Sequence, residues 1–304
     1  IRMHASRGSM SLSKKDGGLP PDSVVQGLDE ILRDSERLIR RYHDPAPLSM
    51  RQVVLAPCSP FSVTGELMKQ SAQLARRHGV RLHTHLCETR DEESFTLSAF
   101  GMRPLAYMQS LDFIGPDVFY AHGIHFNDEE LRLLAETGTG VSHNPCSNMK
   151  LSSGVCRVPE MLRLGVPLGL AVDGSASNDG SNLLEEIRAA YLLHRLHWGE
   201  RAPTGYALLK LATRGGAALL GREDIGQLAP GKAADLFCLR VERAEGVCAN
   251  LDEANMLGTV GWHRPADYVF VGGRLTVRDG RLSGLDEERL YAESAAETRR
   301  LLGA

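Results

Sequence analysis

The hydrophobic and polar positions of this chain alternate between helical and strand-like spacing as far as about residue 220. Apolar residues recur every three or four positions in segments that predict helices at residues 24–42, 64–79, 104–111, 128–136, 159–164, 183–194 and 206–220. Short β-rich runs predict strands at residues 52–56, 80–86, 118–121, 140–142 and 167–172, with a strand stub at residues 1–4 that runs into a loop. Short strands joined by helices are typical of βαβ units and predict a parallel sheet.

The pattern changes after residue 221. Short β runs separated by glycine turns follow, and two of them flank Gly272 and Gly273 in a way that predicts a hairpin. Residues 287–302 have the spacing of an amphipathic helix. We therefore divide the chain into a barrel-forming part at residues 1–221 and a small β module with a C-terminal helix at residues 222–304.

Length and charge narrow the class of protein. The 304 residues suffice for one α/β barrel of roughly 250 residues or for two smaller domains. With 35 basic and 38 acidic side chains the net charge is -3, which excludes the strongly basic surface that binds nucleic acid or anionic lipid. The expected partner is a small molecule.

The cysteines and the apolar runs indicate a compartment. The six cysteines show no close pairs, and no apolar run approaches the roughly 20 residues that span a bilayer. The N-terminus lacks the regions of a secretory signal peptide. We expect reduced thiols, including Cys248, in a cytoplasmic protein.

Polar side chains that suit metal binding follow four consecutive strands. His83 and His85 lie in the predicted strand at 80–86 and Glu88 follows its end, while His122, His143 and Asp173 directly follow the next three strands. Ligands collect at the carboxyl ends of parallel strands. For one strand alone, buried core histidines and a surface glutamate are an adequate explanation, but four such strand ends together favour a divalent metal site.

Four segments carry a resemblance to a known family. They are HTHLCET at 83–89, AHGIH at 121–125, VSHNPCSNMKLSSG at 141–154 and LAVDGSASND at 170–179. Together they resemble the amidohydrolase superfamily, in its branch of aromatic-base deaminases and triazine hydrolases. The resemblance covers nearly the whole chain and implies an α/β fold, a (β/α)8 TIM-type barrel with a small C-terminal β module.

The resemblance also implies roles for individual residues. His85 corresponds to a metal ligand, Glu88 to the catalytic acid, and His122 to a histidine that contacts the attacking water or the substrate. Asp173 corresponds to a residue that is both ligand and base. The implied cofactor is one divalent metal, zinc, with iron as the alternative.

Three further residues are assigned with alternatives. Arg7, which we expect on the loop after the first strand, offers a planar fork of donors to substrate carbonyl oxygens, and a solvated loop arginine is the alternative. Ser147 and Asn148 are expected to shape their loop rather than to contact substrate.

The sequence departs from the family at one point. The family's first barrel strand carries an HxH pair that supplies two further ligands, whereas His83 and His85 form the only such pair here. We therefore expect an N-terminally incomplete barrel that lacks its first two strands and two of its four metal ligands. We also expect a homo-oligomer.

The resemblance implies hydrolytic deamination of an oxidised purine base, with 8-oxoguanine giving urate and ammonia. One alternative is removal of an N-alkylamine from a hydroxylated s-triazine. Another is an inactive fragment or binding protein, which the missing HxH pair favours.

Overall fold

The barrel part of the chain is built on one parallel sheet. The computed structural model describes residues 1–242, 244, 247 and 249–303, so Cys248 lies outside the described residues. Within them, six parallel strands pair in chain order. The strands are β1 (Met3–Ser9), β2 (Arg51–Pro57), β3 (Arg81–Leu86), β4 (Val118–His122), β5 (Gly140–His143) and β6 (Leu168–Leu170).

Helices connect these strands. The helices up to the end of the parallel sheet are α1 (Leu28–Tyr42), α2 (Gly65–His78), α3 (Arg90–Phe100), α4 (Pro104–Ser110), α5 (Asp128–Thr137), α6 (Pro145–Lys150) and α7 (Val158–Leu164). Those after β6 are α8 (Ser175–Asn178), α9 (Leu183–Trp198), α10 (Gly205–Lys210), α11 (Gly216–Leu219), α12 (Glu253–Thr259) and α13 (Glu287–Leu302). No helix in the described part of the chain has both the length and the apolar character to cross a membrane. Sequential parallel strands joined by helices are the pattern of a (β/α) barrel.

A second, smaller sheet follows the barrel strands. It is antiparallel and consists of β7 (Leu236–Cys238), β8 (Tyr268–Val271), β9 (Arg274–Arg278) and β10 (Arg281–Leu282). The hairpin at Gly272 and Gly273 is confirmed, because β8 and β9 pair across it and both glycines have positive φ. The C-terminal helix is also confirmed as α13.

The core lies between the sheet and the helices. Leu82 and Tyr120 on neighbouring strands are fully buried, as are Leu67 and Met68 of α2 and Leu131 of α5. Burying side chains of this size contributes about 1.5–3 kcal/mol each. This packing fixes the strands and therefore the positions of their carboxyl ends.

The first strand is longer than the sequence predicted. β1 pairs with β2 in unbroken parallel register from Met3 opposite Arg51 to Ser9 opposite Pro57. Main-chain pairing with β2 overrides the weak strand propensity of a segment that contains Gly8. The predicted loop position of Arg7 was therefore wrong, because Arg7 lies inside β1.

Other boundaries also differ from the predictions. The helix predicted from residue 24 begins at Leu28, after Gly27 in an extended conformation. The strand predicted at 167–172 is reduced to β6, because β5 offers it only three paired positions, ending at His143 opposite Leu170.

Four helices were missed, and α3 shows the reason. Its buried residues are Glu92 and Thr96, so its inner face is polar and carries no apolar repeat. The other three missed helices, α6, α8 and α12, have only six, four and seven residues. Apolar periodicity over one or two turns carries little signal.

The helix predicted at 206–220 is interrupted where it packs against β6. Between α10 and α11 the backbone forms a π-helical turn at Leu211–Gly215. A Cβ atom on Gly215 would lie 2.0 Å from the carbonyl oxygen of Leu168, whereas one on Gly216 would meet nothing closer than 3.9 Å. The close approach of helix and strand therefore requires glycine at 215 and not at 216.

This difference makes a matched test of the packing. Both glycines have helical φ values, -62° and -56°. We expect Gly215→Ala to lower the free energy of unfolding by about 1–3 kcal/mol or more, because the methyl group collides with backbone. Gly216→Ala should leave it unchanged or raise it by up to about 1 kcal/mol. Urea unfolding of the two variants measures both values, and equal stabilities would contradict the proposed contact.

Candidate active site

Three side chains from three different strand ends meet at the carboxyl edge of the sheet. His85 is the fifth residue of β3, His122 ends β4, and Asp173 follows β6 by three residues. One nitrogen of each imidazole and one carboxylate oxygen all lie within 4.8 Å of one another. The three strands therefore bring together a cluster of metal-competent donor atoms.

The backbone at these strand ends is unusual. Cys87, His122 and Asp173 have φ values of +53°, +73° and +67°, although none of them is glycine. Such conformations cost on the order of 1–3 kcal/mol each and concentrate at functional sites. They turn the chain sharply at the sheet edge.

Each histidine of the cluster is oriented by a bond from its Nδ1 atom. The His85 Nδ1–H donates to the carbonyl oxygen of Cys58 at 2.6 Å. The His122 Nδ1–H donates to Oδ1 of Asn148 at 2.8 Å. With Nδ1 occupied, the Nε2 atom of each ring is left to bind a ligand, which is the usual arrangement for metal-binding histidines.

Asp173 is held as an ionised carboxylate. Ser147 Oγ donates to its Oδ2 at 2.5 Å, Ser177 Oγ donates to the same oxygen at 3.2 Å, and the Gly174 N–H donates to Oδ1 at 2.7 Å. Burial alone would raise the pKa of Asp173, but these hydrogen bonds and the nearby His122 and His85 hold it below its ordinary value. A negative charge therefore faces the two imidazoles.

Glu88 lies at the rim of the cluster. Its Oε2 is 3.5 Å from Nε2 of His122, and its Oε1 accepts from Ser153 Oγ at 3.4 Å. The side chain is 24% exposed, so it can meet an entering molecule while contacting the buried histidine. This is a suitable place for a group that carries protons in and out.

The electrostatic environment favours positive charge at His85. Burial lowers the pKa of His85, but the contacts with the Cys58 thiol and carbonyl and the charge of Glu88 outweigh burial and raise the pKa to about 9. The surroundings that favour a protonated imidazole also favour a divalent cation bound in place of that proton.

The donors present fit a divalent metal. Imidazole nitrogens and a carboxylate oxygen are ligands that zinc takes in proteins. The Nδ1 bonds of both rings are already made within the protein, so binding through Nε2 would cost neither ring its orientation. His85 and Asp173 are the expected ligands, and His122 lies within reach of the same ion.

His143 does not join the cluster, which corrects the grouping of four strand ends. Its Nε2 lies 3.1 Å from Nε2 of His194, and both rings are completely buried. Burial, followed by the neighbouring His194 and His122, lowers the pKa of His143 well below its ordinary value, so it is a neutral core residue. His83 is also outside the cluster: it is half-buried and stacks on Phe119, with ring centroids 4.7 Å apart.

Arg7 makes its hydrogen bonds within the protein. Its Nε donates to Asp34 of α1 at 2.8 Å, and a second nitrogen donates to Gln26 at 3.0 Å. The guanidinium therefore binds one residue of α1 and one residue of the segment before α1, and it does not lie on a solvent-exposed loop. These contacts give no support to Arg7 as a substrate-binding residue.

Ser147 and Asn148 do more than shape their loop. Through the bonds described above they hold Asp173 and His122, and both side chains are completely buried. The sequence places them 26 residues from their partners, so no local pattern connects the two positions. The only available signal was the resemblance of the segment at 141–154.

Comparison with known proteins identifies the family. The model of the amidohydrolase family matches residues 1–276. The chain belongs to the amidohydrolase family. Among curated amidohydrolases, 8-oxoguanine deaminase of Pseudomonas aeruginosa is 51% identical over 99% of this chain and 67% of its own length. Hydroxydechloroatrazine ethylaminohydrolase of a Pseudomonas species is 42% identical over 99% of this chain and 63% of its own length.

The amidohydrolase fold is shared with solved structures. The atrazine chlorohydrolase of Arthrobacter aurescens complexed with zinc superposes with a TM-score of 0.94 at 34% identity, covering 97% of this chain and 66% of its own. This likeness confirms the TIM-type barrel class. The chain spans about two thirds of the length of the relatives it matches.

The cluster predicts how zinc binding responds to mutation. In His85→Ala we expect the affinity for zinc to fall by more than about 100-fold, because an imidazole donor is lost. His125→Ala is the control, because its ring donates to the Ser153 carbonyl at 3.0 Å and takes no part in the cluster. Zinc titration of the full chain measures both. Wild-type affinity in His85→Ala would contradict the assigned site.

Proposed function

We propose that this amidohydrolase is a metal-dependent deaminase of a heterocyclic base, with 8-oxoguanine as the substrate and urate and ammonia as the products. The observation that carries the proposal is the position of Glu88. A partly exposed carboxyl group touches the edge of a donor cluster at 3.5 Å. Hydrolytic deamination needs this pairing of a cation site with a proton carrier.

The residues present would hold the metal through His85 and Asp173, with His122 beside them. A divalent cation at this position lowers the pKa of a water molecule and so provides a nucleophile near neutral pH. The Asp173 carboxylate accepts the proton that the water loses. The Asn148 bond keeps the His122 ring aimed between Glu88 and the cluster.

Glu88 supplies a proton to the ring nitrogen beside the carbon under attack. Protonation there removes aromatic stabilisation as the oxygen of water bonds to the amino-bearing carbon. The bond from that carbon to the amino nitrogen then breaks, and the nitrogen leaves as ammonia after receiving the proton first taken by Asp173. The proton left on the new hydroxyl group returns to Glu88, so the carbon keeps a carbonyl oxygen and the acid is restored. The oxygen of water thus replaces the amino group on the ring carbon, and the reaction needs no oxidant or reductant.

The choice of 8-oxoguanine rests on the relative that is 51% identical, whose name states that activity. A second candidate is an s-triazine bearing an alkylamino group, because the 42% identical relative is an ethylaminohydrolase. Both reactions break a carbon–nitrogen bond on an aromatic ring and would use the same acid and the same metal.

The first test is the substrate. We expect the zinc-loaded full chain to release ammonia from 8-oxoguanine faster than from guanine, and faster than it releases ethylamine from an N-ethylated hydroxytriazine. Release of ethylamine as the fastest reaction would replace the substrate and leave the reaction class unchanged. No release from any of the three would contradict the proposed function and favour the inactive fragment.

The second test is the proton carrier. Glu88→Gln should lower kcat by about 100 to 10,000-fold while zinc content stays at the wild-type value, because the amide cannot donate a catalytic proton. Asp173→Asn should also lose turnover, since an amide oxygen approaches a metal but does not accept the proton from water. Asp91→Asn, an exposed acid three residues from Glu88, is the matched control and should keep wild-type kcat. Full activity in Glu88→Gln would contradict the mechanism.

A further inference from the structure

Glu92 is a buried acid next to the candidate active site that the proposed reaction does not use. It is the third residue of α3 and is only 1% exposed. A glutamate at this position ordinarily reaches back to the backbone N–H of the residue that caps the helix. Here the cap residue is Thr89, whose side chain makes no capping hydrogen bond.

The Glu92 carboxyl group instead reaches beyond the cap to the strand end. Its Oε1 accepts from the backbone N–H of Cys87 at 2.7 Å. The nearby backbone N–H of Glu88 also lowers the pKa of Glu92, against the effect of burial. The acid therefore binds the peptide N–H at which the chain leaves β3 for the catalytic segment.

The Cys87 peptide group needs support because the backbone is strained there. Cys87 has a φ of +53°, which a residue with a side chain adopts at a cost of about 1–3 kcal/mol. On its other side, the Cys87 carbonyl accepts from the N–H groups of Ile124 and His125 at 2.9 and 3.0 Å. The Cys87 peptides are thus held from both sides, by Glu92 and by the segment that follows His122.

The direction in which Glu88 points depends on this strained turn. Glu88 is the next residue, and its Oε2 reaches His122 at 3.5 Å. A change of backbone angle at Cys87 would move the Glu88 carboxyl group away from the cluster without touching any ligand. A displacement of about 1 Å at a catalytic group can cost on the order of 100-fold in rate.

We propose that Glu92 is a positioning residue for the catalytic acid, and that it acts by accepting a hydrogen bond from the backbone N–H of Cys87, the residue before that acid. This inference rests on the proposed function, because it takes Glu88 to be the proton carrier. A helix that only needed to pack would fill the same volume with an apolar side chain and save the desolvation of a carboxyl group.

The ionisation of Glu92 decides which variants test this role. Burial raises its pKa to about 8, against the opposing effect of the two backbone N–H groups. At neutral pH the group is therefore mostly a neutral acid, and glutamine is its closest mimic because the amide oxygen still accepts a hydrogen bond. Methionine has similar length and accepts hydrogen bonds only weakly, so it removes the bonds while filling the space.

The experiment compares Glu92→Met and Glu92→Gln in the zinc-loaded full chain, with Asp91→Asn as the control on the same helical turn. In Glu92→Met we expect kcat per bound zinc to fall about 10 to 100-fold with KM within about threefold of wild type. Backbone amide hydrogen exchange at Cys87 should become at least about tenfold faster, since the acceptor is gone. Glu92→Gln should restore most of both, and Asp91→Asn should change neither.

Two results would overturn the inference. One is wild-type exchange at Cys87 in Glu92→Met, which would show that the carboxyl group does not hold this peptide group. The other is faster exchange with unchanged kcat per zinc, which would make Glu92 a structural residue only. If wild-type protein released no amine from any heterocycle, the proposed function would fall with the role assigned to Glu88, while the exchange data would still decide whether Glu92 holds the turn.

Discussion

The candidate active site depends on the sharp backbone turns that end β3, β4 and β6. Cys87, His122 and Asp173 adopt positive φ there without being glycine. Their combined strain, about 1–3 kcal/mol at each position, persists only where neighbouring bonds hold the turn. Glu92 holds the first turn, and the Leu86 carbonyl accepts the N–H of Gly123 beside the second.

Hydrogen bonds between neighbouring strand ends also fix the orientation of the side chains in the site. The carbonyl of Cys58 after β2 orients His85 of β3, and α6 after β5 supplies Asn148 to His122 and Ser147 to Asp173. Each group that would bind metal or move a proton is thus aimed by a residue from a different strand end. The site is a property of the whole sheet edge, and no single βα unit contains it.

This arrangement explains what the sequence could predict. The alternating pattern located β2 to β6 and the beginning of β1. The strand ends singled out His85, His122 and Asp173, whose donor atoms the structure brings within 4.8 Å of one another. Spacing along one chain reveals which residues leave a strand at its carboxyl end, because period and turn are local properties.

The remaining features depend on partners far away in sequence. Arg7 is bound by Asp34 across 27 positions, and His143 by His194 across 51, so neither side chain could be placed from its own strand. Glu92 was overlooked because it makes the inner face of α3 polar and removes the apolar repeat. In each case the pairing arises from the stacking of helices on the sheet.

The most direct measurement of the central claim is a zinc K-edge anomalous difference map from crystals of the zinc-loaded full chain. The claim is that the ends of β3, β4 and β6 converge on one cation site. The account predicts a strong peak within about 2.3 Å of both the His85 imidazole and the Asp173 carboxylate. It also predicts that the Glu88 carboxyl group stands beside the ion's site without binding it. A peak elsewhere in the chain, or zinc bound without His85 and Asp173, would contradict the account.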